Sequence, residues 1–216
     1  RTMLINKIGI PRGKIQIVYN GLPLAEKPEN SGVLRRRLGL PAGTLLVGMV
    51  GRMDTPKGHL FLLPSIPLIW HALPEVHFVL VGEGPLRALI EFEAQRLNLF
   101  PSGKFHMVGF LHEAPKLMRD LDLLVHPAIY ESLGNVLIEA GQAGLASVAT
   151  NVDGIPEVVQ QGETGILVKG TLPVQPVKIP GATPLPSFVV DGETRHLRPP
   201  LGPDPGELAS AIVHLF

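Results

Sequence analysis

The sequence predicts an α/β domain, a parallel sheet with helices packed on both faces. Six short apolar runs alternate with segments of helical length along most of the chain. The runs are continuously apolar, as strands buried on both faces must be. A third observation is placement. Arg52, Gly82, Gly109 and Glu131 each follow one of the runs, and ligands of such sheets bind at the carboxyl ends of the strands.

Each element has its own warrant. Lys14–Asn20 alternates and ends in Asn20-Gly21, a strand with a turn signal. Ser31–Leu38 reads as a short basic helix stopped by Gly39 and Pro41. Then come strand Leu45–Val50, helix Gly58–His71 and strand Val76–Val81. Helix Pro85–Leu97 follows, with proline in its first turn where a missing N–H costs nothing. Strand Lys104–Val108, helix Glu113–Arg119, strand Leu121–Val125 and helix Leu133–Ala143 continue the alternation. Strand Ala146–Ala149, a helical turn at Pro156–Gln160, strand Gly165–Val168 and helix Glu207–Leu215 complete it. Nine prolines between Pro173 and Pro205 exclude a helix interior or a central strand there. Residues 171–203 are therefore expected to form an exposed, extended insert or loop, with room for a short hairpin.

At 216 residues, 45% hydrophobic and 18% charged, the chain can build a substantial core. No run approaches the ~20 apolar residues of a transmembrane helix. Lys+Arg and Asp+Glu both total 19, so no global field recruits nucleic acid, and phosphate binding has to come from local donors. Cysteine is absent, which excludes disulfides and thiolate metal sites and is compatible with an intracellular setting. The chain opens on Arg1 without a signal-peptide pattern, which leads to the expectation of a fragment with a cytoplasmic location.

The sharpest candidates are Glu131 and Glu139, in Glu131-Ser-Leu-Gly134-Asn135-Val-Leu-Ile-Glu139. A helix start offers backbone N–H groups and the positive end of the macrodipole to phosphate. On one regular helix the two carboxylates would stand ~12 Å apart. That is too far for a glycosidase pair, which needs ~5 Å, and it suits the two ends of an elongated ligand. The plainer alternative makes Glu131 a helix cap and Glu139 a solvated charge. Arg52 and Lys57 lie between Gly51 and Gly58: guanidinium for bidentate contact, ammonium as a point charge, on a loop a diphosphate could approach. The alternative is a solvated loop. Gly82-Glu-Gly84 lacks the third glycine of a dinucleotide fingerprint, with Arg87 in that place. Gly109-Phe110 could pair with and cover a nucleobase, or turn the chain with the ring in the core. His126 ends a strand, where a hydrogen-bonded structural histidine is the default. The histidines are scattered without ligand spacing, so no metal is expected.

Six motifs in order carry a resemblance: Gly51-Arg52…Lys57-Gly58, Val81-Gly82-Glu-Gly84-Pro85, Val108-Gly109-Phe110, His126-Pro127, the Glu131/Glu139 pair, and Gly154-Ile-Pro-Glu157. Together the chain resembles the C-terminal, nucleotide-sugar-binding domain of a retaining family 4 glycosyltransferase of the GT-B fold. The resemblance implies a Rossmann-like three-layer domain, one half of a GT-B enzyme. It divides the chain into an entry linker and strand (1–30), the donor-binding domain (31–170), the Pro-rich insert (171–203) and a last helix of the same domain (204–216).

It further implies a nucleoside diphosphate sugar as donor, with no separate cofactor. Arg52 and Lys57 would contact the pyrophosphate, and Glu131 the sugar or reacting centre. Glu139 would hold the ribose, Gly134 and Asn135 the distal phosphate through the helix start, and Gly109 and Phe110 the base. The acceptor-binding N-terminal domain is a missing partner, so the isolated chain is expected to be inactive, and the longer parent could associate peripherally with a membrane. The rival is a noncatalytic nucleotide-binding or interaction module using the same cleft. The sequence departs from the family at Pro64 and Pro67, where a kink is expected, at Ala146 where proline is usual, and at Gly141 in mid-helix.

Overall fold

The computed structural model describes residues 2–22, 32–112, 117–175 and 178–216. Six parallel strands form the sheet: β1 (Leu46–Val50), β2 (His77–Val81), β3 (Phe105–Gly109), β4 (Leu123–His126), β5 (Ser147–Thr150) and β6 (Gly165–Val168). Their order is β3-β2-β1-β4-β5-β6, the doubly wound arrangement whose direction reverses between β1 and β4.

Side-chain alternation splits the core into two layers, one on each face of the sheet. Val47, Met49, Phe78, Leu80, Leu123, Val125 and Val148 enter one apolar cluster. Their neighbours Leu46, Val79, Val81, Leu124 and Ala149 enter the other. The described helices are α1 (Thr2–Asn6), α2 (Val33–Arg37), α3 (His59–Leu62), α4 (Ile66–Ala72), α5 (Arg87–Arg96), α6 (Asn135–Gln142) and α7 (Pro205–His214). α3, α4, α5 and α7 cover the first face through Leu62, Ile66, Ile90 and Leu208. α2 and α6 cover the second through Leu34, Leu137 and Ala140. Each of these leucine and isoleucine side chains removed from water contributes about 1.5–3 kcal/mol. Gly48, in β1, leaves room for Leu121: a Cβ there would meet Leu121 Cδ1 at 2.3 Å.

Pro64 and Pro67 act as expected. The segment after Lys57 is α3, a 3-10 turn (Leu63–Ser65) and α4 in place of one helix, because neither proline can donate to the helical ladder. The expected helix over Glu113–Arg119 lies partly outside the described residues; Met118–Asp120 forms a 3-10 turn.

One expectation is corrected. Residues 15–20 form no strand. The alternating side chains have no sheet edge to cover, and Ile17, Val18 and Tyr19 stand exposed. The Pro-rich insert is extended and holds the short hairpin for which the sequence left room. β7 (Gly170–Pro173) pairs antiparallel with β10 (Leu201–Pro203), and β8 (Val189–Val190) with β9 (Leu197–Arg198). Val189 is buried, and Arg198 Nε donates to Asp191 at 2.9 Å. The prolines sit mainly outside these short ladders, so they do not prevent pairing.

Candidate functional site

The reversal between β1 and β4 makes their two outgoing loops neighbours. Ile129 N–H donates to Pro56 O at 2.8 Å. Gly58 has φ +75°, and a Cβ there would stand 1.9 Å from the Pro127 carbonyl oxygen. Only glycine permits that approach, and the approach is what carries Lys57 to Glu131.

Lys57 Nζ donates to Glu131 Oε2, and His126 Nε2 lies 3.1 Å from the same oxygen. Burial alone would raise the Glu131 carboxyl, but hydrogen bonds from His126 and Lys57 and the lysine charge hold it at about 2. His126 is buried, and loss of solvent pushes its imidazole down despite the glutamate. Its neutral ring therefore gives Nε2–H to the carboxylate. Beside them His59 is buried with Nδ1 lacking a hydrogen-bond partner. Burial, then the proximity of His126 and Lys57, drives its imidazole down to about 3. The cluster thus holds an anionic Glu131, a cationic Lys57 and two neutral histidines at neutral pH.

Glu131 is fixed through its backbone as well. Its N–H donates to Asp153 Oδ2 at 3.3 Å, and Gly154 N–H donates to its carbonyl at 3.2 Å. The capping alternative is overturned. Gly134, the N-cap of α6, is in the left-handed region at φ +86° and supplies no side-chain cap; Glu131 lies in the loop ahead of it, committed to Lys57 and His126.

Arg52 stands apart from Lys57. Its side chain is 61% exposed, with Nε 3.1 Å from Asp54 Oδ2 and Nη2 3.4 Å from the Gly181 carbonyl. Next to it a cavity of about 310 Å³ opens at the carboxyl ends of β1, β2 and β3, lined by Gly51, Arg52, Gly82, Glu83, Phe110 and Leu111 among others. The glycines let the loops close up: a Cβ on Gly82 would come 1.9 Å from Gly51 O, and one on Gly84 2.3 Å from Met53 O. Gly82-Glu-Gly84 therefore serves strand-to-loop packing at β2, away from the first strand where a dinucleotide fingerprint belongs.

Cations, a fixed carboxylate at the switch point and a cavity at the ends of β1, β2 and β3 can bind a phosphorylated, polyhydroxyl ligand. Residues 44–175 match the family described as "Glycosyl transferases group 1". The chain belongs to that family.

Group 1 relatives include the 2-deoxystreptamine glucosyltransferase of Streptomyces kanamyceticus, 32% identical over 68% of this chain and 40% of its own length. The D-inositol 3-phosphate glycosyltransferase of Corynebacterium glutamicum is 30% identical over 74% of this chain and 39% of its own. The chain thus spans about two fifths of the curated relatives it matches. Among solved structures, HepE of Anabaena, in complex with UDP and glucose, is similar with a TM-score of 0.66 and 25% identity. That match covers 78% of this chain and 46% of HepE. Sucrose-phosphate synthase of Thermosynechococcus elongatus aligns at a TM-score of 0.60 and 28% identity, over 84% and 38% of the two chains. The three-layer fold with six parallel strands is that of GT-B glycosyltransferases.

In this group 1 domain the other sequence candidates lie at and just after the end of β3 (Gly109, Phe110) and at or within α6 (Gly134, Asn135, Glu139). Phe110 is 63% exposed, which removes the alternative of a core aromatic; its ring packs edge-on to His112 at 4.9 Å. Gly109 (φ +75°) ends β3, and its carbonyl already accepts Gly82 N–H at 2.8 Å. The first-turn N–H groups of Asn135 and Val136 have no acceptor within the helix, and Asn135 Oδ1 accepts from Asn20 Nδ2 at 3.4 Å. Glu139, on α6, is partly buried, and that burial pushes its carboxyl up. Sequence reasoning missed His59, Asp54 and Asp153. An apolar context around His59 is the one local signal that pointed to burial. Among the described residues no group of three or more His, Asp or Glu could hold a metal ion. No helix there is long and apolar enough to cross a membrane.

Proposed function

We propose that this chain is the donor-binding half of a retaining glycosyltransferase that moves a sugar from a uridine diphosphate sugar to an acceptor. The observation that carries the reading is the Lys57–Glu131–His126 cluster at the switch point of the sheet. The solved complexes of HepE with UDP and with UDP-glucose support the donor. Arg52, Gly82 and Phe110, from three of the motifs, line one cavity, which supports a common ligand over independent structural roles.

In this reading Lys57, Arg52 and the α6 N-terminus stabilise the charge that grows on the departing diphosphate. Glu131, ionised far below neutrality, has no proton to give to the leaving group. Its negative charge instead faces the cationic character that develops at the anomeric carbon, which is electrostatic stabilisation. Glu139 accepts the ribose hydroxyls, Phe110 covers the base, and Gly134 and Asn135 offer N–H groups to the distal phosphate. No metal is needed when lysine and arginine supply the positive charge. In this reading the acceptor side of the cleft belongs to a second domain, and these 216 residues by themselves bind donor without turning it over. A thermal-shift screen of nucleoside diphosphates and their sugars tests the reading. UDP or UDP-sugars should raise Tm most, by mass action on the folded state; no shift with any member would overturn it.

A further inference from the structure

The insert that departs from a plain loop does more than pack on the domain. Residues 179–183 run across the loop that follows β1. Ile179 and Ala182 pack on the core cluster. Gly181, at φ +80°, lies against Pro85: a Cβ there would stand 3.9 Å from Pro85 Cβ. Its carbonyl accepts from Arg52 Nη2 at 3.4 Å. Two residues on, Thr183 donates its backbone N–H to Asp54 Oδ1 at 2.8 Å and its hydroxyl to Asp54 Oδ2 at 2.5 Å.

Asp54 is 4% exposed, and its remaining partners are Thr55 N–H, 2.8 Å from Oδ1, and Arg52 Nε, 3.1 Å from Oδ2. A carboxylate that far from solvent needs its lone pairs filled, and Thr183 fills two of them from 129 positions away. Asp54 in turn grips the inner edge of the Arg52 guanidinium, and Gly181 O takes one Nη2 hydrogen. Arginine carries five N–H donors in a rigid plane, and among the described residues both Nη1 hydrogens have no partner. Without these anchors Arg52, mostly exposed, would sample many rotamers and lose that entropy on each binding event.

We propose that the 179–183 strap is a positioning device: through Asp54 and Gly181 it pre-orients Arg52 for the diphosphate of the donor. Thr183 and Asp54 are positioning residues, since neither touches the ligand in this account. The inference rests on the diphosphate reading given above.

The test is a double-mutant cycle on this chain, with UDP and uridine as the two ligands in calorimetry. Thr183→Val, which keeps shape and removes the hydroxyl donor, should weaken UDP about three- to tenfold, the range one hydrogen bond commands. Uridine affinity should not change, and Thr183→Ser should restore UDP. Asp54→Asn is the second entry to the same cycle if Thr183→Val folds poorly. In an Arg52→Ala background neither substitution should have a further effect on UDP. Equal losses with and without Arg52, or equal losses for UDP and uridine, would overturn the strap's role and leave the diphosphate reading standing. Equal wild-type affinity for UDP and uridine would instead overturn the diphosphate reading and the strap with it.

Discussion

Replacing Glu131 by glutamine isolates the central ion pair. The wild-type carboxyl sits at about 2, against an ordinary 4.5, and each unit of such a shift corresponds to about 1.4 kcal/mol. A depressed carboxyl stabilises the folded state above its unfolded value, and the stabilisation is lost as pH falls through the folded value. The full contribution is therefore about 3 kcal/mol near neutrality. It is complete at about pH 6 and falls by about 2 kcal/mol at about pH 3, roughly midway through the window. Asp54 and Asp191 also have depressed carboxyls, so they too contribute stability that is lost in acid. Those losses are common to wild type and Glu131→Gln, and the difference between the two proteins removes them. Urea unfolding of both at the two pH values is the assay. The gap in unfolding free energy should shrink by about 2 kcal/mol on acidification. A gap that stays constant would refute the claim that Lys57 and His126 hold this carboxylate ionised.

Other outcomes follow from the same geometry. Arg52→Ala and Lys57→Ala should each weaken UDP about five- to tenfold while leaving uridine within error, because uridine has no phosphate for either cation to meet; paired titrations measure this, and a parallel loss for uridine would place the cations elsewhere. The 216-residue chain should show negligible hydrolysis or transfer with common sugar nucleotides in a product-release assay. Robust turnover would refute the half-enzyme reading.

The sheet was legible because its physics is local. A strand buried on both faces has to be apolar throughout, and β1, β2 and β4 announce themselves as LVGMV, HFVLV and LLVH. Residues 14–20 had the right alternation and still formed no strand, since pairing depends on an available edge that no local pattern reports. The insert was legible as extended chain with room for a hairpin, but not in where it pairs. Its prolines forbid long regular elements, but a two-residue ladder such as β8–β9 needs so few donors that composition does not exclude it. Within the site, Arg52, Lys57, Glu131 and Glu139 could be singled out by residue type and position. Their pairing could not: Lys57 meets Glu131 across 74 residues and Asp54 meets Thr183 across 129. Such contacts are products of strand order, fixed only when the chain closes between β1 and β4. His59 escaped notice because a lone histidine in an apolar segment has no local feature that distinguishes a buried, unpartnered ring from a hydrogen-bonded one.

Glu139 provides the most direct test that this cleft binds a nucleoside diphosphate. It is partly buried, and that burial disfavours its charge, so the free protein gains little from it. A ribose offering two hydroxyls to the carboxylate would add charge-assisted bonds of ~1.5–3 kcal/mol each. Calorimetry of UDP and uridine on wild type and Glu139→Ala decides the matter when read beside the melting temperatures. The account predicts that the variant binds both ligands about tenfold or more weakly, with a melting temperature equal to wild type or slightly higher. Unchanged affinity in a variant that melts like wild type would contradict it.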